Sequence, residues 1–257
     1  MITIEKEARG VAWLWLDRAE KHNALSGEMI ADLHQAALDL GADRDVRVVV
    51  LAARGATFCA GGDLGWMRAQ MDASPAERGA EAGKLAHMLQ ALNTLPKPLI
   101  GRVQGNAFGG GVGLACVCDV ALGVTGLKIG LTEVRLGLIP ATIGPYVVAR
   151  MGEGAARQVF FSGRIFGAQE AVRLGILAAT VAPEEMDTAV EAEVAPYLSA
   201  APGAVAASKA LVRSLGPKID AETIDMTIEA LKARWESEES AEGIGAFFEK
   251  RKAAWMS

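Results

Sequence analysis

The sequence lacks features that several functional classes require. It carries no long block of lysine and arginine, and none of its apolar stretches is long enough to cross a bilayer without interruption. Its formal net charge is -5 at pH 7, which argues against a surface that holds the phosphates of nucleic acid. No glycine-rich segment is followed by the Lys-Ser/Thr pair of a nucleotide P-loop. We therefore expect neither nucleic acid nor a membrane as a partner.

Cysteine is scarce as well, with three residues in 257. Cys116 and Cys118 are separated by one residue in an apolar stretch, with no second pair and no histidine nearby. This pattern favours buried core thiols over metal ligands, so no metal site is predicted. The first ten residues, MITIEKEARG, contain no apolar signal core. Together with the free thiols, this predicts a cytoplasmic location.

The sequence does contain enough apolar material for a substantial core. Hydrophobic residues make up 51% and charged residues 22% of the chain, as in ordinary globular proteins. Strand patterns alternate with helix patterns at first, and helix patterns dominate from residue 143 onward. This order predicts an α/β fold followed by a helical region. The helices predicted from residue 143 onward cover 145–151, 154–162, 168–174, 183–199, 202–214, 219–235 and 240–252.

A segment in the first half shows little periodicity. No helix is predicted at 65–73, and Trp66, Met67 and Met71 within it either line an apolar pocket or pack in the core. Directly after it, the residues Ser74-Pro75-Ala76-Glu77 have the form of a capping box with proline at the first helical position. This motif predicts that a helix begins there.

The most distinctive stretch is KPLIGRVQGNAFGGGVGLACVCD at 97–119. A short buried strand is predicted at 98–103, and three glycines then open an apolar helix. Backbone N–H groups at such a junction lie unshielded at the positive end of the helix dipole, where an oxygen that gains negative charge is stabilised. A tight turn without a ligand explains the same glycines, so both interpretations stay open on this stretch alone.

A second strand also ends in glycines. VRVVVLAARGATFCAGGDL at 46–64 predicts a β-branched strand at 46–51 and a loop that ends at Gly61 and Gly62. Two strand ends of this kind can aim two N–H donors at one oxygen, which is the geometry of an oxyanion hole.

Glu133 is the most informative single residue. It lies between the apolar stretches LKIGL and VRLGLIP, where a charge is costly without a purpose or a partner. From the local sequence, it either serves a reaction or is paired with Arg135 or a backbone amide.

The motifs FCAGGDL and AFGGGVGL together resemble the crotonase family, the enoyl-CoA hydratase/isomerase superfamily. The resemblance continues through WLDRAEKHNAL at 15–25, KIGLTEVRLGLIP at 128–140 and FSGRIFGAQEAVRLGIL at 161–177. It implies an α/β spiral of strand-strand-helix turns, with a core at 1–200 that binds coenzyme A and the acyl group. A helical region at 201–257 is then expected to pack on the core and on neighbouring subunits, in a homotrimer or hexamer.

The resemblance also implies a site. Glu133 matches the catalytic acid/base of the family, and the amides of Gly62 and Gly110 match its oxyanion hole. The substrate is then an acyl-CoA thioester, and no cofactor is expected because coenzyme A enters with the substrate. The tail FFEKRKAAW at 247–255 either approaches coenzyme A or is a solvated amphipathic helix. The residues expected to bind the acyl-CoA are Lys21, Ala24, Ala60, Gly62, Asp63, Leu64, Gly110, Phe248 and Lys250.

The chain departs from the family pattern at one catalytic position. Linear enoyl-CoA hydratases have a first glutamate where this chain has Gly113, and IPATIGPYV replaces their glycine-rich IPGxGG loop. These segments look most like the branch of 3-methylglutaconyl-CoA and isohexenylglutaconyl-CoA hydratases. The prediction is a hydratase-type lyase of fatty or branched-chain acid metabolism, acting through a single glutamate on a glutaconyl-type acyl group. A Δ3,Δ2-enoyl-CoA isomerase and a catalytically weak acyl-CoA-binding relative are the alternatives.

Overall fold

The computed structural model describes residues 1–256, which form two β-sheets surrounded by helices. The strands are β1 (Ile2–Lys6), β2 (Val11–Leu16), β3 (Val48–Ala53), β4 (Thr57–Cys59), β5 (Leu99–Val103), β6 (Asn106–Phe108), β7 (Val120–Val124), β8 (Lys128–Gly130), β9 (Ile165–Gly167) and β10 (Ala179–Val181). The helices are α1 (Gly27–Ala42), α2 (Leu64–Asp72), α3 (Pro75–Thr94), α4 (Gly110–Val117), α5 (Gly144–Met151), α6 (Glu153–Ala156), α7 (Ala168–Arg173), α8 (Met186–Ser199), α9 (Pro202–Leu215), α10 (Ala221–Trp235) and α11 (Glu238–Glu249). The predicted α/β architecture with a helical C-terminal region is confirmed.

The larger sheet carries the core. Its strand order is β1-β2-β3-β5-β7-β10, and every neighbouring pair is parallel except β1 with β2. All six residues of β3 are buried, as expected of a parallel strand that is covered on both faces. Helix α8 packs on β3, β5 and β7, while α1 packs on α3. Cys116 and Cys118 lie in this core, as predicted.

The smaller sheet positions the glycine-rich segments. Its order is β4-β6-β8-β9, with β4, β6 and β8 parallel and β9 antiparallel. Parallel neighbours end at the same edge of a sheet, so the segments that follow β4, β6 and β8 meet there. These segments are the loop to Gly62, the junction at Gly109 and the turn to Glu133.

Two predictions of local structure were wrong. Residues 65–73 were expected to lack a helix, but α2 forms because the Asp63 carboxylate accepts hydrogen bonds from the N–H groups of Gly65 (2.8 Å) and Trp66 (3.1 Å). The predicted helix at 154–162 is only α6, since the hydrogen bonds of the Gln158 and Val159 N–H groups span three residues instead of four and the chain continues in turns. The capping box of Ser74 and Glu77 is confirmed at the start of α3.

The C-terminal helices attach in different ways. Helix α10 packs on α3 through a small apolar cluster that includes Ala86 and Ile228. Helix α9 has no buried residue. Its attachment is polar, because the Lys209 ammonium, on a side chain that is 9% exposed, donates to the Asp119 carboxylate (2.6 Å) and to the Lys97 carbonyl (2.8 Å). Among the described residues, no helix is both long and apolar enough to span a membrane.

Candidate active site

A cavity of about 550 Å³ opens where β4, β6 and β8 end. Both glycine-rich segments and Glu133 line it, and the rest of its wall is mostly apolar. That wall combines side chains from distant parts of the chain, among them Leu25, Met67, Leu85, Ile139, Leu231 and Trp235. A mostly apolar wall with a few convergent polar groups is the usual form of a small-molecule site.

The amide of Gly62 has no hydrogen-bond partner in residues 1–256. Leu25 pairs with this segment in a parallel bridge, in which its N–H donates to the Gly61 carbonyl (2.7 Å) and its carbonyl accepts from the Asp63 N–H (3.0 Å). A parallel bridge uses the groups on either side of the central residue. The N–H of Gly62 is therefore left free, in a residue that lines the cavity.

The amide of Gly110 also lacks a hydrogen-bond partner within residues 1–256. Gly110 is the first residue of α4, where backbone N–H groups have no partner inside the helix. Gly109 before it has a φ of +48°, and Gly61 has a φ of +94°, values that favour glycine. A Cβ added to Gly61 would lie 3.0 Å from the Phe108 carbonyl oxygen and 3.8 Å from the Gly110 nitrogen. The two glycine segments thus touch, which brings both amides to one end of the cavity.

The Glu133 carboxylate lies beside these amides. It begins a short 3₁₀ helix, Glu133–Leu136, and its Oε1 is 3.0 Å from the point where a Cβ of Gly109 would stand. Its Oε2 is buried and has no hydrogen-bond partner in the described structure. Burial raises the pKa of Glu133 to about 7, and the interaction with its own backbone N–H offsets this effect only in part. Oε2 is paired neither with Arg135 nor with a backbone amide, the two partners that the sequence left open.

Gly113 lies one turn after Gly110 in α4 and has no room for a side chain. A Cβ at this position would be 2.5 Å from Cγ2 and 3.0 Å from Cβ of Ile143. Ile143 is 2% exposed and lines the cavity. An apolar side chain therefore fills the space beside the position where linear hydratases have their first glutamate.

The structure divides the residues expected to bind acyl-CoA into two groups. Those that line the cavity are Ala60, Gly62, Leu64 and Gly110. Those that do not are Lys21, Ala24, Asp63, Phe248 and Lys250. The Asp63 carboxylate caps α2 and accepts from the Arg18 guanidinium at 2.8 Å, so its contacts in this chain are structural.

Helix α11 presents a different residue from the one expected. Phe247 lines the cavity, whereas Phe248 packs edge-on against Phe247 and beneath the guanidinium of Arg68. Trp66 and Met67 line the cavity, but Met71 does not. Leu231 and Trp235 on α10 were missed altogether, since their contribution depends on how α10 packs and no local motif marks it.

Comparison with known proteins identifies the family. The sequence profile of the enoyl-CoA hydratase/isomerase family matches residues 6–257. A crotonyl-CoA hydratase of Syntrophomonas wolfei is 31% identical, covering 100% of this chain and 98% of that relative. The mitochondrial methylglutaconyl-CoA hydratase of Mus musculus is 32% identical, covering 96% and 80%. The crystal structure of an enoyl-CoA hydratase from Shewanella pealeana superposes with a TM-score of 0.81 at 38% identity, covering 99% and 95%.

The fold, the paired glycine segments and this breadth of similarity agree. The chain belongs to the enoyl-CoA hydratase/isomerase family and has the crotonase fold. It is an enzyme of that family, which confirms the resemblance drawn from its motifs.

Proposed function

We propose that this enzyme adds water to the double bond of an enoyl-CoA thioester, or removes it, with Glu133 as the single acid/base. One observation carries the proposal: the buried, unpartnered Oε2 of Glu133 lies in the same cavity as two free glycine amides. A substrate that hydrogen-bonds to these three groups gains interactions that the protein alone does not make.

The reaction uses the amides of Gly62 and Gly110 for charge and Glu133 for the proton. The water oxygen forms a bond to C3 of the enoyl group, and the π electrons move through C2 and C1 to the thioester oxygen. The two amides stabilise the negative oxygen, each worth about 3–4 kcal/mol in comparable sites. Glu133 takes one proton from the water and returns it to C2. One water is consumed, and the enzyme ends in its starting state.

The same proposal includes the binding of coenzyme A, which carries the acyl group, and the assembly of subunits. Ala60 and Leu64 line the cavity and are assigned to the thioester, and Lys21, Ala24, Asp63, Phe248 and Lys250 remain the residues expected to approach coenzyme A. No resident cofactor is needed for the steps above. The exposed α9 supports a homotrimer or hexamer in which residues 201–257 contact neighbouring subunits. A cytoplasmic location and a role in fatty or branched-chain acid metabolism complete the proposal.

Arg135 supports a glutaconyl-type acyl group, which carries a second carboxylate. Arg135 is exposed and is one of the residues that line the cavity. Its Cγ and Nε lie beside Gly163, and it makes no ion pair with any residue of 1–256. The other lining arginine, Arg251, is neutralised by Glu242 and Glu249, each at 2.6 Å. A free guanidinium two residues from Glu133 can hold the distal carboxylate while the double bond lies at the glycine amides.

A panel of acyl-CoA substrates tests the function directly. Water addition is measured as loss of the conjugated enoyl-thioester absorbance. We expect kcat/KM for a branched glutaconyl-CoA to exceed that for crotonyl-CoA by at least about tenfold, which requires about 1.4 kcal/mol of differential transition-state binding. Arg135→Met should remove this preference, whereas Arg157→Met should keep it, because Arg157 is an exposed residue directly after α6. Equal rates of the wild-type enzyme on both substrates would contradict the glutaconyl assignment.

The isomerase is the alternative that the single carboxylate favours. Glu133 would then remove a proton from C2 of a 3-enoyl-CoA and deliver it to C4, with the same amides holding the oxygen. The conjugated absorbance would appear instead of disappearing. Fast isomerisation without water addition to either conjugated substrate would assign the enzyme to this class.

A further inference from the structure

Thr142 is a buried polar residue in the wall of the cavity. The residue is 6% exposed and lines the cavity, and its hydroxyl makes no hydrogen bond within residues 1–256. Its Oγ1 is not one of the buried side-chain atoms that lack a partner, so the hydroxyl is accessible from the cavity, where a bound molecule can hydrogen-bond to it. The Thr142 hydroxyl and Glu133 Oε2 thus belong to the same cavity wall, and neither has a hydrogen-bond partner within residues 1–256.

The backbone places Thr142 close to the reaction centre. The Leu138 N–H donates to the Glu133 carbonyl (3.1 Å), and the following loop returns to α4, where Ile143 packs on Gly113. The N–H of Gly113 donates to the Gly109 carbonyl (3.2 Å), and Gly109 touches the Glu133 carboxylate. Glu133 and the loop that carries Thr142 thus both pack against the first turn of α4.

A single carboxylate leaves one requirement of water addition unmet. Glu133 can take a proton, but a second acceptor must hold the water so that its oxygen faces C3. Ile143 fills the space beside position 113, so no carboxylate enters there. Arg135 and Arg251 also line the cavity, but a guanidinium has only donors, whereas a hydroxyl can accept.

We infer that the Thr142 hydroxyl holds the water that adds to C3. The inference rests on the proposed hydratase function. Thr142 Oγ1 accepts a hydrogen bond from one water proton, and Glu133 takes the other as the C3–O bond forms. The proton that faces Thr142 remains on the product hydroxyl, and the proton on Glu133 goes to C2. Thr142 is thus a water-positioning residue.

The test separates water addition from proton transfer. Thr142→Val removes the hydroxyl with little change in shape, Thr142→Ser retains it, and Thr180→Val is the control on β10, outside the cavity. Each variant is assayed for hydration of the enoyl-CoA that the wild type prefers. Each is also assayed by mass spectrometry for exchange of the C2 protons of butyryl-CoA in D2O, which needs Glu133 and the amides but adds no water.

We expect Thr142→Val to lower kcat/KM for hydration at least about tenfold and to change exchange by less than about twofold. Thr142→Ser should recover most of the hydration rate, and Thr180→Val should match the wild type in both assays. Hydration at the wild-type rate in Thr142→Val would overturn the inference. So would a proportional loss of hydration and exchange, because that pattern indicates a structural role. A wild-type enzyme that exchanges protons but hydrates nothing would overturn the hydratase proposal, and this inference with it.

Discussion

Ile143 and Gly113 occupy complementary space, with Ile143 Cγ2 2.5 Å from the point where a Cβ of Gly113 would stand. Both positions depart from the linear-hydratase pattern, one by losing a side chain and the other by gaining one. The contact explains how a cavity with one carboxylate remains well packed. It also makes the two residues energetically dependent on each other.

Gly113→Ala should destabilise the protein by about 1–3 kcal/mol, because the added methyl overpacks the core. In a helix, alanine is otherwise more favourable than glycine. A loss rather than a gain of stability would therefore show that the added methyl group clashes with Ile143. Gly203→Ala on α9 is the matched control, since a Cβ there meets nothing within 4 Å. In Gly113→Ala/Ile143→Ala the loss should be smaller than the sum of the single changes. Additive losses in a thermal-unfolding cycle would show that the two residues are independent.

Glu133→Gln should retain acyl-CoA binding and lose at least about 100-fold in turnover, as expected when a general acid/base is removed. Binding is measured by calorimetry with a non-reactive saturated acyl-CoA, and turnover by absorbance. Wild-type turnover in this variant would contradict the role assigned to Glu133.

The same residue predicts a pH dependence of hydration. Burial raises the pKa of Glu133 to about 7, and the carboxylate must be deprotonated to take a proton from water. We expect kcat/KM for hydration to rise with pH through about 7 and then to level. A profile flat from pH 5 to 8 would exclude Glu133 as the base.

Stability should change with pH in the opposite direction. Between pH 4.5 and about 7 the folded protein retains a Glu133 proton that the unfolded chain has released, so this residue lowers stability as the pH rises. Glu133→Gln lacks the effect. We expect its thermal stability to exceed that of the wild type above pH 7, by at most about 3 kcal/mol, with no difference near pH 4. If the difference in stability between Glu133→Gln and the wild type were the same near pH 4 and above pH 7, the pKa of Glu133 would not be raised.

Asp119→Asn should be strongly destabilising. Asp119 neutralises the ammonium of Lys209, whose side chain is 9% exposed, at 2.6 Å. Removing one partner of such a pair leaves a buried charge and costs about 3–5 kcal/mol. Asp187→Asn is the control, because Asp187 pairs with Arg102 but is 79% exposed, and such pairs contribute at most about 1 kcal/mol. If chemical denaturation showed equally small losses of unfolding free energy in both variants, the structural role assigned to the Asp119 pair would be wrong.

The surface of α9 predicts assembly. Leu211, Val212 and Leu215 are 59%, 70% and 78% exposed, and exposed apolar groups on one helix favour association. We expect a trimer or hexamer by light scattering at micromolar concentration. Val212→Lys/Leu215→Lys should shift it toward monomer, while Leu38→Lys on α1 should not. A monomeric wild-type protein would refute this assembly.

The sequence by itself determined the parts of the site that have local signatures. Gly61 and Gly109 have positive φ angles that favour glycine, and Glu133 is conspicuous as a charge between apolar segments. The capping box at Ser74 and the strand pair β1–β2 follow from short-range rules. With the family motifs, these features were enough for the fold, the family and the candidate acid/base.

Only the tertiary structure decided how these parts meet. Strands β4, β6 and β8 have three residues each, too few to show a two-residue period, and they exist because their neighbours pair with them. The missing partner of Glu133 Oε2, the free hydroxyl of Thr142 and the contact between Ile143 and Gly113 are likewise properties of the surroundings. Local sequence encodes backbone preference and polarity, whereas burial, hydrogen-bond satisfaction and fit depend on residues that are distant in the chain.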